Sequence, residues 1–96
     1  MYKLSTIAKN DIDQLYNDGV IKFGNNQAKK YLIDLQKCFK LLAKNPKIGK
    51  NRTEIKKGLF SFPYISHIIF YRVFNKHIRI IRILYGGRDL VRLLKK

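Results

Sequence analysis

Carboxylates are scarce in this chain: six Asp and Glu stand against 21 Lys and Arg in 96 residues, a formal net charge of +15. Both halves share the shortage, with ten basic residues against four acidic through Lys50 and eleven against two beyond it. A neutral domain with a basic tail is thereby excluded; the whole fold bears the charge. Such a field implies a polyanion, an acidic membrane surface or an acidic protein as partner. Cysteine is equally sparse. Cys38 stands alone, so no intramolecular disulfide forms and a stapled secreted scaffold is ruled out. No apolar run approaches the roughly 20 residues of a membrane span, so no membrane partner is expected. The opening MYKLSTIAKND also lacks the apolar stretch of about 7–15 residues that marks a signal peptide. A cytoplasmic protein is expected. No cluster offers three or four metal ligands, and there is no Gly-rich phosphate loop or Ser/His/Asp set. Neither metal nor cofactor is expected.

What is present is enough for one core. Hydrophobic residues make up 46% and aromatics 12%, while charged residues are 28%, near the average for folded domains. Residues 1–96 read as a single domain. Tyr2–Leu4 is a short strand candidate, and Ser5 and Thr6 are good helix N-caps. Ala8, Ile12, Leu15, Tyr16, Val20 and Phe23 then recur at the helical period, with Gly24 as a stop. Asp11 and Asp13 early and Lys22 late suit the helix dipole. Asn25 or Asn26 caps a second helix, with Ala28, Tyr31, Leu32, Leu35, Cys38, Phe39 and Leu42 inside and Lys29, Lys30, Lys37, Lys40 and Lys44 outside. Asn45-Pro46 ends it. The short connection predicts an antiparallel helical hairpin.

From Pro46 to Lys57 the chain is polar and basic and reads as a loop or irregular edge. Leu59–Tyr64, His67–Phe74 and His77–Leu84 carry strand signals, with Asn75-Lys76 as a hairpin turn. Gly86-Gly87 breaks the sheet, and Arg88–Leu94 has the pattern of two helical turns. The expected fold is α+β: an N-terminal strand and a helical hairpin packed on a small, mainly antiparallel sheet, in the order β-α-α-β-β-β with a short C-terminal helix.

A two-residue turn at Asn75-Lys76 would oppose Phe74 with His77, Arg72 with Arg79, Phe70 with Ile81 and Ile68 with Ile83. The other face would hold His67, Ile69, Tyr71, Val73, Ile78, Ile80, Arg82 and Leu84. Both faces are then largely apolar, unusual for an antiparallel sheet in a small protein. The helical hairpin covers one face; the C-terminal turns or a partner must cover the other. Arg72 opposite Arg79 is a like-charge pair that costs stability unless an anion sits between them.

Several segments together resemble the ParE branch of the RelE/ParE toxin superfamily. They are Phe23-Gly24 with Gln27-Ala28, Asn45-Pro46 with Gly49, Ser61-Phe62-Pro63, His67 through Arg72, and Arg82 through Asp89 with Tyr85-Gly86-Gly87 at its centre. The resemblance runs from about Leu4 to Leu94. It implies a small toxin of a type II toxin–antitoxin module, neutralised by a cognate antitoxin. The ParE branch is associated with poisoning DNA gyrase; the RelE branch cleaves messenger RNA on the ribosome.

RNA cleavage needs a base, an acid and cations on the phosphate. The RelE branch supplies them from sheet lysines and arginines and a late tyrosine. Here the corresponding segment, Leu59-Phe60-Ser61-Phe62-Pro63, has no lysine, and no tyrosine follows Gly87. On the endonuclease reading the catalytic candidates are His67, Arg82, Tyr85 and Arg88. On the preferred reading, non-enzymatic gyrase inhibition, Arg72, Arg79, Arg82 and Arg88 contact the target or an acidic antitoxin, with Tyr85 and His67 beside them. The net charge also favours proximity to nucleic acid. The plainer roles are a structural or interface His67, with only Asp89 or Tyr85 near enough to partner it, and Tyr85 in the core or at the sheet rim. Arg82 would pair with Asp89 or Glu54, His77 would be solvated, and Cys38 would be a core thiol.

Overall fold

In the computed structural model, which describes residues 1–87 and Leu94, Ser5 does three jobs at the first turn of the chain. Its hydroxyl accepts from the Ala8 N–H at 2.9 Å, capping helix α1 (Thr6–Phe23), and donates to the Ile81 carbonyl at 2.8 Å. Its backbone N–H donates to the Ile80 carbonyl at 3.0 Å. Strand β1 (Tyr2–Leu4) thereby passes directly into the helix. The first turn holds no acidic residue, so Asp11 and Asp13 do not serve the dipole as expected.

Helix α1 ends at Gly24, whose φ of +87° suits a residue without Cβ. The Gly24 N–H closes α1 on Val20, while its carbonyl accepts from Ala28 and opens helix α2 (Asn25–Lys44). Gly24 alone therefore joins the two helices, and neither Asn25 nor Asn26 caps the second. The expected inner face of α2 is correct: Ala28, Leu35, Cys38, Phe39 and Leu42 are buried, and Tyr31 and Leu32 half-buried. That of α1 fails at its end. Phe23 is 71% exposed because it sits at the hairpin tip, beyond the sheet.

Beyond the helices come β2 (Lys50–Asn51), β3 (Leu59–Tyr64), β4 (His67–Val73) and β5 (Ile78–Tyr85). The five strands form one sheet in the order β1-β5-β4-β3-β2, parallel only between β1 and β5. The segment from Pro46 to Lys57, expected as a loop or irregular edge, thus includes a short edge strand. Its Gly49 is required by close approach: its N–H donates to the Tyr71 hydroxyl at 3.1 Å, and a Cβ there would collide with that hydroxyl. Tyr71 in turn donates to the Pro46 carbonyl at 2.7 Å.

The β4–β5 register starts as expected, with Arg72 opposite Arg79 and Tyr71 opposite Ile80, and the Phe74 N–H on the His77 carbonyl. It then slips. Phe70 faces Arg82 rather than Ile81, and Ile68 faces Leu84 rather than Ile83. The bulge falls where β1 ends and β5 becomes an edge, a usual place for one. Its effect is to turn Ile83 toward the helices and Leu84 away. The helix-side core combines Ala8, Leu35, Cys38, Phe39 and Leu42 with Ile69, Tyr71, Ile78, Ile80 and Ile83. Across the sheet, Leu59, Phe70 and Leu84 are buried with Leu94, which supplies part of the second cover. The rest of the expected C-terminal helix lies outside the described residues. Burial pushes the Cys38 thiol pKa up, as for a core thiol. No helix among the described residues is long and apolar enough to cross a membrane.

Candidate functional site

Tyr31 belongs to the inner face of α2, and a buried phenol requires a partner. It finds one in His67, the first residue of β4: the Tyr31 hydroxyl lies 2.8 Å from His67 Nδ1. Tyr64 packs edge-on against the Tyr31 ring, with ring centroids 5.4 Å apart, and Tyr85 packs edge-on against His67 at 6.0 Å. His67 and Tyr85 are also register partners across β4 and β5. The expected partner of His67 was therefore incomplete. Tyr85 is near it, but Tyr31 makes the hydrogen bond.

The electrostatics follow from burial. Desolvation lowers the His67 pKa below its ordinary 6.5, with Asp18 opposing and Lys22 reinforcing the shift. The ring is then neutral at physiological pH, and its tautomer decides whether Nδ1 accepts from the Tyr31 hydroxyl or donates to it. Desolvation, helped by Tyr64, pushes Tyr31 up to about 12. A phenol so far from neutrality is a poor base, and efficient acid–base groups have pKa values near the working pH. Tyr85 is 55% exposed, at the rim rather than in the core.

Among the described residues Arg82 pairs with Asp11 and not with Glu54. Its Nε and Nη2 donate to the Asp11 carboxylate at 2.9 and 3.1 Å, and the same carboxylate accepts from the Ile83 N–H at 3.0 Å. Where β1 ends, Asp11 takes over its hydrogen-bonding role on β5. Glu54 instead pairs with Arg52 at 3.3 Å. Arg88 and Asp89 lie outside the described residues.

Arg72 and Arg79 do face each other. The Arg72 guanidinium turns aside to donate to the Lys57 carbonyl at 3.0 Å, while Arg79 stands exposed beside its other register partner, Lys3. His77, expected to be solvated, is half-buried and stacked on Phe74 with centroids 5.0 Å apart. The candidate residues thus form two groups at opposite ends of the β4–β5 ladder, Arg72 with Arg79 and His67 with Tyr85. Five residue steps separate them, about 17 Å at strand rise. Lys3, Asp11 and Tyr31 were missed. Only Tyr31 carried a signal in the sequence, a hydroxyl on an otherwise apolar face.

A family model for the ParE toxin of the type II toxin–antitoxin system parDE matches residues 2–90. Toxin ParE1 of Mycobacterium tuberculosis (strain ATCC 25618 / H37Rv) is 33% identical over 94 residues, 97% of this chain and 96% of that protein. Toxin ParE1 of Caulobacter vibrioides is 32% identical over 88 residues, 92% of this chain and 91% of that one. Among solved structures, a chain of the chromosomal ParDE TA system from P. aeruginosa superposes with a TM-score of 0.76 at 25% identity, over 88% of this chain and 92% of that one. The architecture is the RelE/ParE type of α+β fold, and the chain belongs to the ParE toxin family of type II toxin–antitoxin systems.

Proposed function

We propose that this toxin acts in the cytoplasm by occupying DNA gyrase rather than by cleaving RNA, and that a cognate acidic antitoxin holds it inactive. Family membership supports the first part, and one observation of the site supports it further. His67 has spent its Nδ1 on the Tyr31 hydroxyl at 2.8 Å, and burial keeps it neutral. A ribonuclease using that imidazole would work through its other nitrogen and would need a second acid–base group beside it. Among the described residues the ring's only hydrogen-bond partner is Tyr31, whose phenol is pushed up to about 12. A net charge of +15 favours an acidic antitoxin, and electrostatic steering speeds such association.

The test places purified protein with gyrase and plasmid, and separately with programmed ribosomes. Inhibited supercoiling with intact message, preserved in His67→Gln, supports the proposal. Message cut on the ribosome with normal supercoiling, and loss of cutting in His67→Gln, would establish the RelE-like alternative instead.

A further inference from the structure

The sheet face opposite the helical hairpin has a row of cations running across its strands. Lys3 on β1 is the register partner of Arg79 on β5, and Arg79 is that of Arg72 on β4. Register partners share a face, and strands lie about 4.8 Å apart, so the three side chains rise from a line about 10 Å long. Lys3 and Arg79 are exposed, and among the described residues Lys57 takes only one of the Arg72 donors. The row continues through buried Leu59 to Arg52, whose charge Glu54 already offsets.

The described carboxylates avoid this row. Four of the five described ones, Asp11, Asp13, Asp18 and Asp34, sit on the two helices, and Glu54 is engaged with Arg52. Two residues beyond the Arg72–Arg79 pair, strand alternation puts Phe74 and His77 on the same face. Their rings are stacked at an interplanar angle of 14°, and Phe74 is 46% exposed. A flat aromatic platform therefore stands beside three cations that no carboxylate among the described residues neutralises.

We propose that this face binds single-stranded nucleic acid, with Lys3, Arg79 and Arg72 on the phosphates and Phe74, backed by His77, stacking a base. Aromatic platforms set along a cationic track are how proteins hold single strands without reading sequence. An acidic peptide matches the charges and leaves the ring without a role; a nucleotide strand offers charge and π-face side by side. The arrangement involves no catalysis and stands independently of gyrase.

Fluorescence anisotropy of the full chain tests it, using a labelled oligothymidylate of about 12 nucleotides and a poly-glutamate peptide of equal charge over a salt series. The oligonucleotide should bind more tightly than the peptide. Lys3→Gln and Arg79→Gln should each lower the log–log salt slope by about 0.7, the increment of one phosphate contact on a single strand. Arg79→Lys should keep the slope. Phe74→Ala should keep the slope but weaken binding by roughly five- to hundredfold, the factor that a lost base stack represents. Lys37→Gln, on the exposed face of α2, should leave affinity within about twofold, since it removes a charge outside the row. Circular dichroism confirms folding of each variant. Equal losses in Lys37→Gln and Arg79→Gln would overturn the proposal in favour of diffuse charge. Peptide binding as tight as oligonucleotide binding would overturn it in favour of an acidic protein. An unaffected Phe74→Ala would remove the platform.

Discussion

Asp11 and Arg82 stand 71 positions apart and meet in a two-pronged ion pair, with side-chain exposures of 15% and 21%. The same carboxylate holds the Ile83 N–H, so it joins the first helix to the sheet just past the bulge. Removing it leaves a guanidinium and a backbone donor half-buried and unpaired, which costs more than the pair itself contributes. Asp11→Ala should lower stability by about 2–4 kcal/mol in urea unfolding. Asp11→Asn, which still offers an oxygen to Ile83, should lose less than half as much. Equal losses in the two variants would mean that the charge of Arg82 dominates.

A second coupling ties the 46–49 loop to the core. Gly49→Ala places a methyl against the Tyr71 hydroxyl and 2.9 Å from the Ser61 carbonyl, overpacking that should cost about 1–3 kcal/mol. Tyr71→Phe strands the Gly49 N–H and Pro46 carbonyl and should cost about 1–3 kcal/mol. Together they should cost somewhat less than their sum, because removing the hydroxyl relieves the tightest contact while Tyr71 Cζ and the Ser61 carbonyl, each 2.9 Å from the methyl, remain. A double-mutant cycle measures this directly, and strict additivity would place the clash on the Tyr71 ring and the Ser61 carbonyl rather than on the hydroxyl.

Ile65, in the turn between β3 and β4, has φ of +52° and is 75% exposed. A β-branched residue is costly in the left-handed region, by about 1–2 kcal/mol, and here its side chain gains little burial in return. Ile65→Asn or Ile65→Gly should raise Tm by several degrees. A fall instead would show that the Ile65 side chain contributes more than its backbone costs.

Much of this architecture was legible because it rests on local patterns. The period of α2 placed Leu35, Phe39 and Leu42 correctly inside, and Gly24 ended α1 where expected. The ladder was legible only as far as Tyr71 opposite Ile80. Strand alternation carries no mark of a bulge when residues 80, 81, 83 and 84 are all Ile or Leu. The cause lies elsewhere in the chain, where β1 stops and Ser5 and Asp11 take over the backbone groups of β5. The Asp11 partner of Arg82 was missed for the same reason: it is distant in sequence, and a search among nearby acids finds Asp89 and Glu54 first.

The Tyr31–His67 pair predicts opposite pH responses at the two ends of the scale. His67 is held below its ordinary 6.5 by burial, so in the unfolded chain it takes up a proton first as pH falls. Its contribution to stability is complete above about 6.5 and declines as pH drops from there toward the folded value. Tyr31 is raised from 10.0 to about 12. The unfolded chain loses that proton first, and stability falls between those two values as pH rises. His67→Gln should flatten the acid limb, and Tyr31→Phe should remove one late-titrating phenol from the ultraviolet absorbance titration. An unchanged acid limb in His67→Gln would place the acid sensitivity on another group.

Arg79 faces Arg72 on one side and Lys3 on the other, a placement that folding alone does not favour. Like charges directly opposite on neighbouring strands destabilise the ladder by a few tenths to about 1 kcal/mol. Arg79→Glu converts both repulsions into attractions at an exposed site, so Tm should rise by several degrees at low ionic strength. Because exposed pairs are screened, the gain should shrink above physiological salt. Arg79→Gln should gain less, since it removes repulsion without adding attraction. No gain at low salt would mean that the Lys57 carbonyl already draws Arg72 out of range. If the glutamate variant is at once more stable and unable to bind oligothymidylate, the arginine is retained against stability. That combination is expected of a position kept for binding rather than for the fold.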